Sequence, residues 1–262
     1  MRRDTLLRFR PWAGAVFLLD TRFERRRSVD TTMGDRDPNT RMIGDEQMQA
    51  LKDWLTKDED NRLRFVVSSV PFVAEVLRES GDGRAATDRS DDKWSGAPFR
   101  RQREEIIELI DAKRIEHVVF LVGDMHCAYH ASMTIGQGRR WERLRIHELA
   151  GGPINQLQQG RRRQFVTAAS HTTRQGKVPY DIRLHQFHSG ANAVMHIEVD
   201  SVEDAHLGKN VPEVRWRVIR TLTNFDAGPL FNEERSECGR VEEEAPISGR
   251  IVTRPAERGA AS

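Results

Sequence analysis

The sequence predicts an α/β fold of mixed α+β character. Three short apolar runs rich in β-branched residues, at 15–19, 65–67 and 118–122, are typical of buried strands. Amphipathic helical patterns over 44–57 and about 99–113 lie between successive runs. Later in the chain, 194–199 and 214–222 alternate apolar and polar residues, which favours half-buried antiparallel strands.

Length and composition limit the class of protein. The 262 residues allow one large domain or two small ones, and 31% charged with 37% hydrophobic residues suits a soluble chain. The net charge is only +2, and short arginine runs such as 25–27 and 161–163 have acidic residues near them. We therefore expect no nucleic acid as a specific partner, and no apolar run is long enough to predict a membrane span.

The N-terminus superficially resembles a twin-arginine export signal because Arg2 and Arg3 precede an apolar run. That run, at 13–19, is short and interrupted, and no small-residue cleavage pattern follows it, so we expect a cytoplasmic protein. Two cysteines do not make a disulfide framework, and we expect Cys127 and Cys238 to remain unbridged.

The segments between these elements differ in composition and periodicity. The polar residues of 80–99 predict a long surface loop, and Gly136 to Gly138 predict a hairpin between 132–135 and 141–149. Residues 156–185 are polar and basic and show poor periodicity. The Glu-, Arg-, Pro- and Gly-rich segment 233–262 predicts a disordered tail, which leaves 1–232 as the domain.

The strongest chemical signal is the sequence Gly-Asp-Met-His that follows the apolar run 118–122. Gly123 permits a tight turn at the carboxyl end of the strand, where ligands bind in open α/β sheets. Asp124 and His126 supply a carboxylate oxygen and an imidazole nitrogen that can point to one metal ion. The alternative is a capped turn with a surface histidine.

Polar residues also follow the run 15–19, where Asp20-Thr21-Arg22 ends the strand. The guanidinium of Arg22 has the donors to bind a phosphate oxygen. An equally simple alternative is a structural pair between Asp20 and Arg22. Three later histidines could suggest a ligand set, but their predicted faces differ and favour structural roles: His185, His188 and His196.

Taken in order, several segments resemble the alkaline phosphatase D (PhoD-like) family of metallophosphatases. The resemblance covers about residues 14–222, and Glu148-Leu149 with Pro153-Ile154 matches more weakly. The main matching segments are 17–22, Gly44 and Gln47 with Trp54-Leu55, 66–71, Asp92-x-Trp94-x-Gly96-x-Pro98 with Arg101, and 119–126.

The resemblance implies a metallophosphatase-like, four-layer sandwich of two mixed sheets flanked by helices. It also implies a two-metal site at the strand ends that hydrolyses phosphate mono- or diesters, with Asp124 and His126 as metal ligands. From its position we infer that Arg22 contacts the phosphate as a catalytic residue. The expected cofactors are divalent or mixed metal ions, drawn from Ca, Fe, Mn, Mg or Zn.

The family's earlier metal motifs have no counterpart here, since Asp20 lies only 19 residues after Met1. The sequence thus resembles the C-terminal part of the catalytic domain, and we expect the first half of the sandwich to be lacking. Two protein ligands are too few for a two-metal centre, so we expect self-association or a separate N-terminal half to complete it. The alternative is a non-catalytic remnant or interaction domain of a truncated metallophosphatase.

Overall fold

A computed structural model describes residues 8–9, 14–27, 40–57, 63–77, 92–138, 143–152, 164–188, 192–204, 208–221 and 248–252. Two helices and eleven strands lie within these ranges. In chain order they are β1 (Arg8–Phe9), β2 (Gly14–Leu18), α1 (Asp45–Thr56), β3 (Leu63–Ser68), α2 (Arg100–Ala112), β4 (Val118–Val122), β5 (Ala128–Ile135), β6 (Leu144–Ala150), β7 (Ala168–Thr172), β8 (Pro179–His188), β9 (Asn192–Asp204), β10 (Lys209–Thr221) and β11 (Ser248–Val252).

The larger sheet has eight strands in the order β1-β2-β3-β4-β6-β5-β8-β7. Strands β2, β3, β4 and β6 run parallel to one another, whereas β5, β8 and β7 add antiparallel pairs. The three buried strands predicted from the apolar runs and the hairpin of β5 with β6 are confirmed. Because β2, β3, β4 and β6 are parallel, all four end at one side of the sheet, which we call the carboxyl edge.

Both helices pack against one face of this sheet. The buried side of α1 includes Met48 and Leu51, and that of α2 includes Ile106 and Ile110. They join strand residues such as Phe17 in a single hydrophobic core. Each fully buried aliphatic side chain contributes about 1.5–3 kcal/mol, so this face holds the helices in place.

The opposite face is covered by a three-stranded antiparallel sheet in the order β11-β10-β9. Phe65 and Val119 of the larger sheet meet Val214, Trp216 and Ile251 of the smaller one in a second hydrophobic cluster. The described residues thus form three layers: helices, large sheet, small sheet. Four layers were expected from the resemblance, but the two described helices both lie on the same side, and the smaller sheet is purely antiparallel.

Residues 92–99 are a well-packed segment, whereas the sequence predicted a surface loop over 80–99. Trp94 is completely buried and Phe99 is 1% exposed. Their apolar side chains enter the core beneath α1 and α2, although charged and polar residues surround them in the sequence. Residues 78–91 of the predicted loop lie outside the described residues.

Two strands occupy part of the segment 156–185 that showed poor periodicity. In β8, buried Tyr180, Ile182 and Leu184 alternate with polar residues, which is the pattern of a half-buried strand. The alternation is short, and the basic residues before it obscured it in the sequence.

Within the predicted tail 233–262, Ser248–Val252 form β11 and pair with β10. Ile251 is only 3% exposed, because it packs in the cluster between the two sheets. These five residues therefore belong to the folded domain and not to a disordered tail. Cys238 and the rest of the predicted tail lie outside the described residues, whereas Cys127 is a buried free thiol whose pKa burial raises to about 12.

A buried polar network holds the segment after β3. The carboxylate of Glu148 accepts backbone N–H groups of Phe72, Val73 and Ala74 at 2.6, 2.6 and 3.0 Å, and the Tyr129 hydroxyl donates to it at 2.8 Å. Burial raises the pKa of Glu148, although these donors oppose the shift. Four donors on one carboxylate fix the path of the chain at the carboxyl edge.

No helix among the described residues is long and apolar enough to cross a membrane.

Gly249 provides a test of the β11 packing. A Cβ at this position would lie 2.7 Å from the indole of Trp216, which is 2% exposed and has little room to move. We expect Gly249→Ala to lower the free energy of unfolding by about 1–3 kcal/mol, as overpacking does in buried sites. Gly151→Ala is the matched control, because a Cβ at Gly151 meets nothing within 4 Å. Equal denaturant midpoints for the two variants would contradict this packing.

Candidate functional site

The carboxyl edge brings together the residues that follow the parallel strands. Leu19 and Asp20 follow β2, Ser69 follows β3, Gly123 follows β4, and Gly151 follows β6. The hydroxyls of Thr21 and Ser69 hydrogen-bond to each other and so connect the first two of these ends. This is the position at which α/β sheets bind ligands.

The turn after β4 has an uncommon backbone. Asp124 and His126 adopt left-handed conformations, with φ of 70° and 51°. Side chains other than glycine disfavour this region at a cost of order 1–3 kcal/mol. Met125 and Cys127 alternate with them and are buried, which anchors the turn. Asp124 consequently lies exposed at the edge and His126 is half-buried beside it.

A lysine from the segment before α2 reaches the Asp124 carboxylate. The ammonium of Lys93 donates a hydrogen bond to Oδ2 of Asp124 and a second, of 2.9 Å, to Oδ2 of Asp92. The Lys93 side chain is 8% exposed, whereas those of Asp124 and Asp92 are 30% and 48% exposed. A nearly buried cation therefore sits between two partly exposed carboxylates.

The indole of Trp94 fixes the position of Lys93. Its Nε1 donates to the Ser68 hydroxyl at 3.2 Å, and its ring packs edge-on against Phe72 with centroids 5.5 Å apart. Because Trp94 is fully buried, the preceding residue has little freedom. The ion pair is thus set by the core and not by a loose surface loop.

Arg22 lies at the same edge, after β2. The carboxylate of Asp20 accepts the backbone N–H groups of Arg22 and Phe23 at 3.1 and 2.8 Å, and the Asp20 N–H donates to Gln47 at 2.7 Å. The observed contact with Asp20 is therefore through the Arg22 backbone, and the Arg22 side chain is exposed. Its contact with phosphate stays a prediction.

A cleft of about 340 Å³ opens between the carboxyl edge and β9. Its walls are mostly apolar, with Ser68 and three glycines among the lining residues. They are Val67, Ser68, Leu121, Val122, Gly123, Leu149, Gly151, Gly152, Ala193, Val194, Met195 and Ile197.

Comparison with protein families matches residues 12–203 to the model of the PhoD-like phosphatases. The chain belongs to this family. A solved structure of PhoD is similar at a TM-score of 0.48 and 17% sequence identity, covering 83% of this chain and 38% of that one. Comparison with curated proteins gives no match. The family predicted from the strand-end motifs is confirmed, and the chain spans well under half the length of the PhoD chain.

The donors that the structure describes in this PhoD-like chain do not by themselves make a two-metal centre. Among the residues that the structure describes, no three histidine, cysteine, aspartate or glutamate side chains are grouped so as to hold a metal ion. Asp124 and His126 offer one carboxylate and one imidazole, and the carboxylate already binds Lys93. Their role as metal ligands stays a prediction, and we derive no catalytic step through a metal.

Three histidines that the sequence analysis did not group form a stack on the large sheet of this PhoD-like chain. The ring of His130 lies between those of His147 and His185, with centroids at 5.4 and 4.7 Å, and also meets Trp216 of the small sheet at 5.5 Å. His130 hydrogen-bonds to His147 at 3.1 Å, and Ser132 hydrogen-bonds to His185 at 2.8 Å.

Each of the three rings has a lowered pKa, which favours its neutral form. Burial, with a smaller effect of His185, lowers the pKa of His130 to about 3. Burial also lowers the pKa of His147 and His185, and neighbouring arginines add to the effect. The three histidines come together only because β5 pairs with β6 on one side and β8 on the other. The sequence alone does not give these strand partners, so it could not predict the stack. His196, in contrast, is exposed on β9.

We predict that acid destabilises the fold through this stack. In the unfolded chain a histidine has a pKa near 6.5, so below that pH the unfolded chain takes up protons that the folded chain does not. For His130 the stabilisation is complete above about pH 6.5 and falls by about 1.4 kcal/mol for each pH unit below it, down to the folded pKa of about 3. Melting temperatures at pH 7 and pH 5 measure the loss.

His130→Phe keeps a ring in the stack and is expected to reduce this pH dependence. His196→Asn is the control, because it removes an exposed histidine from the small sheet. An equal decrease in melting temperature from pH 7 to pH 5 for His130→Phe and for the unaltered chain would contradict the prediction.

Proposed function

We propose that the chain carries part of a metal-dependent site that hydrolyses phosphate mono- and diesters in the manner of PhoD-like phosphatases. Family membership supports this reaction class. The observation that carries the proposal is the turn after β4, where Asp124 and His126 hold costly left-handed conformations at the carboxyl edge. Backbone strain of this kind concentrates at functional sites.

In this proposal Asp124 and His126 are two of the metal ligands. A carboxylate with an imidazole is compatible with Ca, Mg, Mn, Zn or Fe, so the donor types leave the metal open. The Asp124 side chain is 30% exposed, which leaves its carboxylate accessible from solvent.

Arg22 is the proposed phosphate contact. Strand β3 separates β2 from β4, so the ends of those strands lie about 10 Å apart, two strand spacings. An exposed arginine at one end and a phosphate held near the other are within reach of each other across this distance. The planar guanidinium would bind two phosphoryl oxygens and neutralise their charge.

The remaining ligands would come from a separate N-terminal half or from a second copy of the chain. Val194 and Ile219 support self-association, since they are neighbours in the β9–β10 ladder and are 47% and 39% exposed.

The alternative is a non-catalytic remnant or interaction domain of a truncated metallophosphatase. One observation favours it: the Asp124 carboxylate has an ammonium partner within the chain, that of Lys93. In that case the edge is a stable structural feature and needs no metal.

Metal stoichiometry tests the proposal. We expect elemental analysis of the purified chain to find bound metal, and Asp124→Asn and His126→Ala each to lower the metal content while leaving the circular dichroism spectrum unchanged. His196→Ala is the control, because His196 lies on β9 of the small sheet and its side chain is 42% exposed. Hydrolysis of nitrophenyl phosphate and bis-nitrophenyl phosphate should fall with the metal content and with Arg22→Ala.

Unchanged metal in both edge variants would refute their role as ligands. A chain free of metal that hydrolyses neither substrate would favour the remnant. Gel filtration on the same preparations tests self-association, and a stable monomer with full metal content would exclude the requirement for a second copy.

A further inference from the structure

The ammonium of Lys93 lies where a cation would meet the Asp124 carboxylate. It donates to Oδ2 of Asp124 and to Oδ2 of Asp92, so it joins residues from two separate segments of the chain. At 8% exposure the lysine is far less accessible than either carboxylate. Lysines are almost never buried unless they are paired, and here the pairing is with two acids.

We propose that Lys93 is the resident cation of the carboxyl edge. Its ammonium holds Asp92 and Asp124 together when no metal is bound, and a divalent ion gains Asp124 only by displacing it. This inference rests on the proposed function, in which Asp124 is a metal ligand, and it adds a residue that controls the affinity of that site.

The backbone around Lys93 supports a fixed role. The Lys93 carbonyl accepts the N–H of Gly96 at 2.9 Å, and the Asp92 carbonyl accepts a hydrogen bond of 3.1 Å from the Arg25 guanidinium. With the burial of Trp94, these contacts secure the segment on both sides of the lysine. The ammonium is thus placed by the fold, as a ligand-binding group has to be.

Charge explains why the lysine and a metal exclude each other. Two carboxylates bound to one ammonium repel each other as soon as that cation leaves, and in a partly buried site this repulsion is weakly screened. A divalent ion bound to the Asp124 carboxylate would lie close to the ammonium on Oδ2 and would repel it, because both are cations. Metal binding therefore includes the cost of moving a nearly buried lysine into another environment.

The first experiment titrates Mn²⁺ into the full, chelator-treated chain by calorimetry. We expect Lys93→Met, which keeps the length of the side chain without the charge, to bind Mn²⁺ at least about tenfold more tightly than the unaltered chain. Lys52→Met is the matched control, because Lys52 is a partly buried lysine that pairs with Glu105 away from the edge. Adding Asp124→Asn to Lys93→Met should abolish the gain.

The outcomes separate the two proposals. If Lys93→Met and the unaltered chain bind Mn²⁺ equally while Asp124→Asn weakens both, Asp124 is a ligand and the role of Lys93 is overturned. If the affinity for Mn²⁺ does not change on Asp124→Asn in either background, Asp124 is not a ligand, and the proposed competition by Lys93 is overturned as well. Absence of Mn²⁺ binding in Lys93→Met also overturns the competition.

A second experiment tests the resident cation without any metal. In chelator, Asp124→Asn should lower the melting temperature of the unaltered chain more than that of Lys93→Met, because only the former leaves a nearly buried ammonium with one carboxylate. Asparagine accepts the left-handed conformation, and its own backbone effect is the same in both backgrounds and cancels. Equal changes in the two backgrounds would show that Lys93 and Asp124 are not coupled.

Discussion

The conformation of the candidate site depends on one buried carboxylate, that of Glu148 on β6. It accepts the N–H groups of 72–74 and thereby fixes the chain after β3, while the guanidinium of Arg103 binds carbonyls of the same segment at 2.8 and 2.9 Å. Both sides of these peptides are therefore satisfied inside the protein, where an unpaired group would cost about 1–3 kcal/mol. The fixed segment supplies the aromatic surface on which Trp94 packs, and Trp94 in turn places Lys93.

The parts of the fold that the sequence predicts are those specified by local pattern. Strand β4 has five contiguous apolar residues, of which all but Leu121 are buried between the layers on the two faces of the sheet, so the strand is easy to recognise in the sequence. The predicted surface loop was wrong for residues 92–99, because Trp94 is buried by contact with segments far along the chain while its immediate neighbours in the sequence are polar. Strand β11 was not predicted, because five residues among charged neighbours are too few to show an alternation of apolar and polar residues. Ile251 is nevertheless well buried between the sheets.

The same distinction between local sequence pattern and long-range contact applies to the candidate site. The Gly-Asp-x-His sequence predicts a turn at a strand end, because a glycine after an apolar run has that meaning wherever the strand lies in the sheet. The partner of Asp124 could not be predicted, since Lys93 precedes it by 31 residues and meets it only after β3 and β4 pair. The histidine stack likewise requires the order β6-β5-β8, which places rings from three strands side by side.

One ion pair accounts for both interpretations of the carboxyl edge. A metal bound at the proposed site would stabilise the folded state by an amount that grows with the logarithm of its affinity, and displacement of Lys93 would reduce that affinity. Each additional ligand from another segment or copy would offset part of the affinity lost by displacing Lys93. Metal affinity rises with every donor, whereas the lysine is displaced only once. In this proposal an edge that offers Asp124 and His126 alone would favour the ammonium, whereas an edge completed by further donors would favour the metal. If Asp124 and His126 are ligands as proposed, the number of donors that join them decides whether the chain behaves as a remnant or as part of an enzyme.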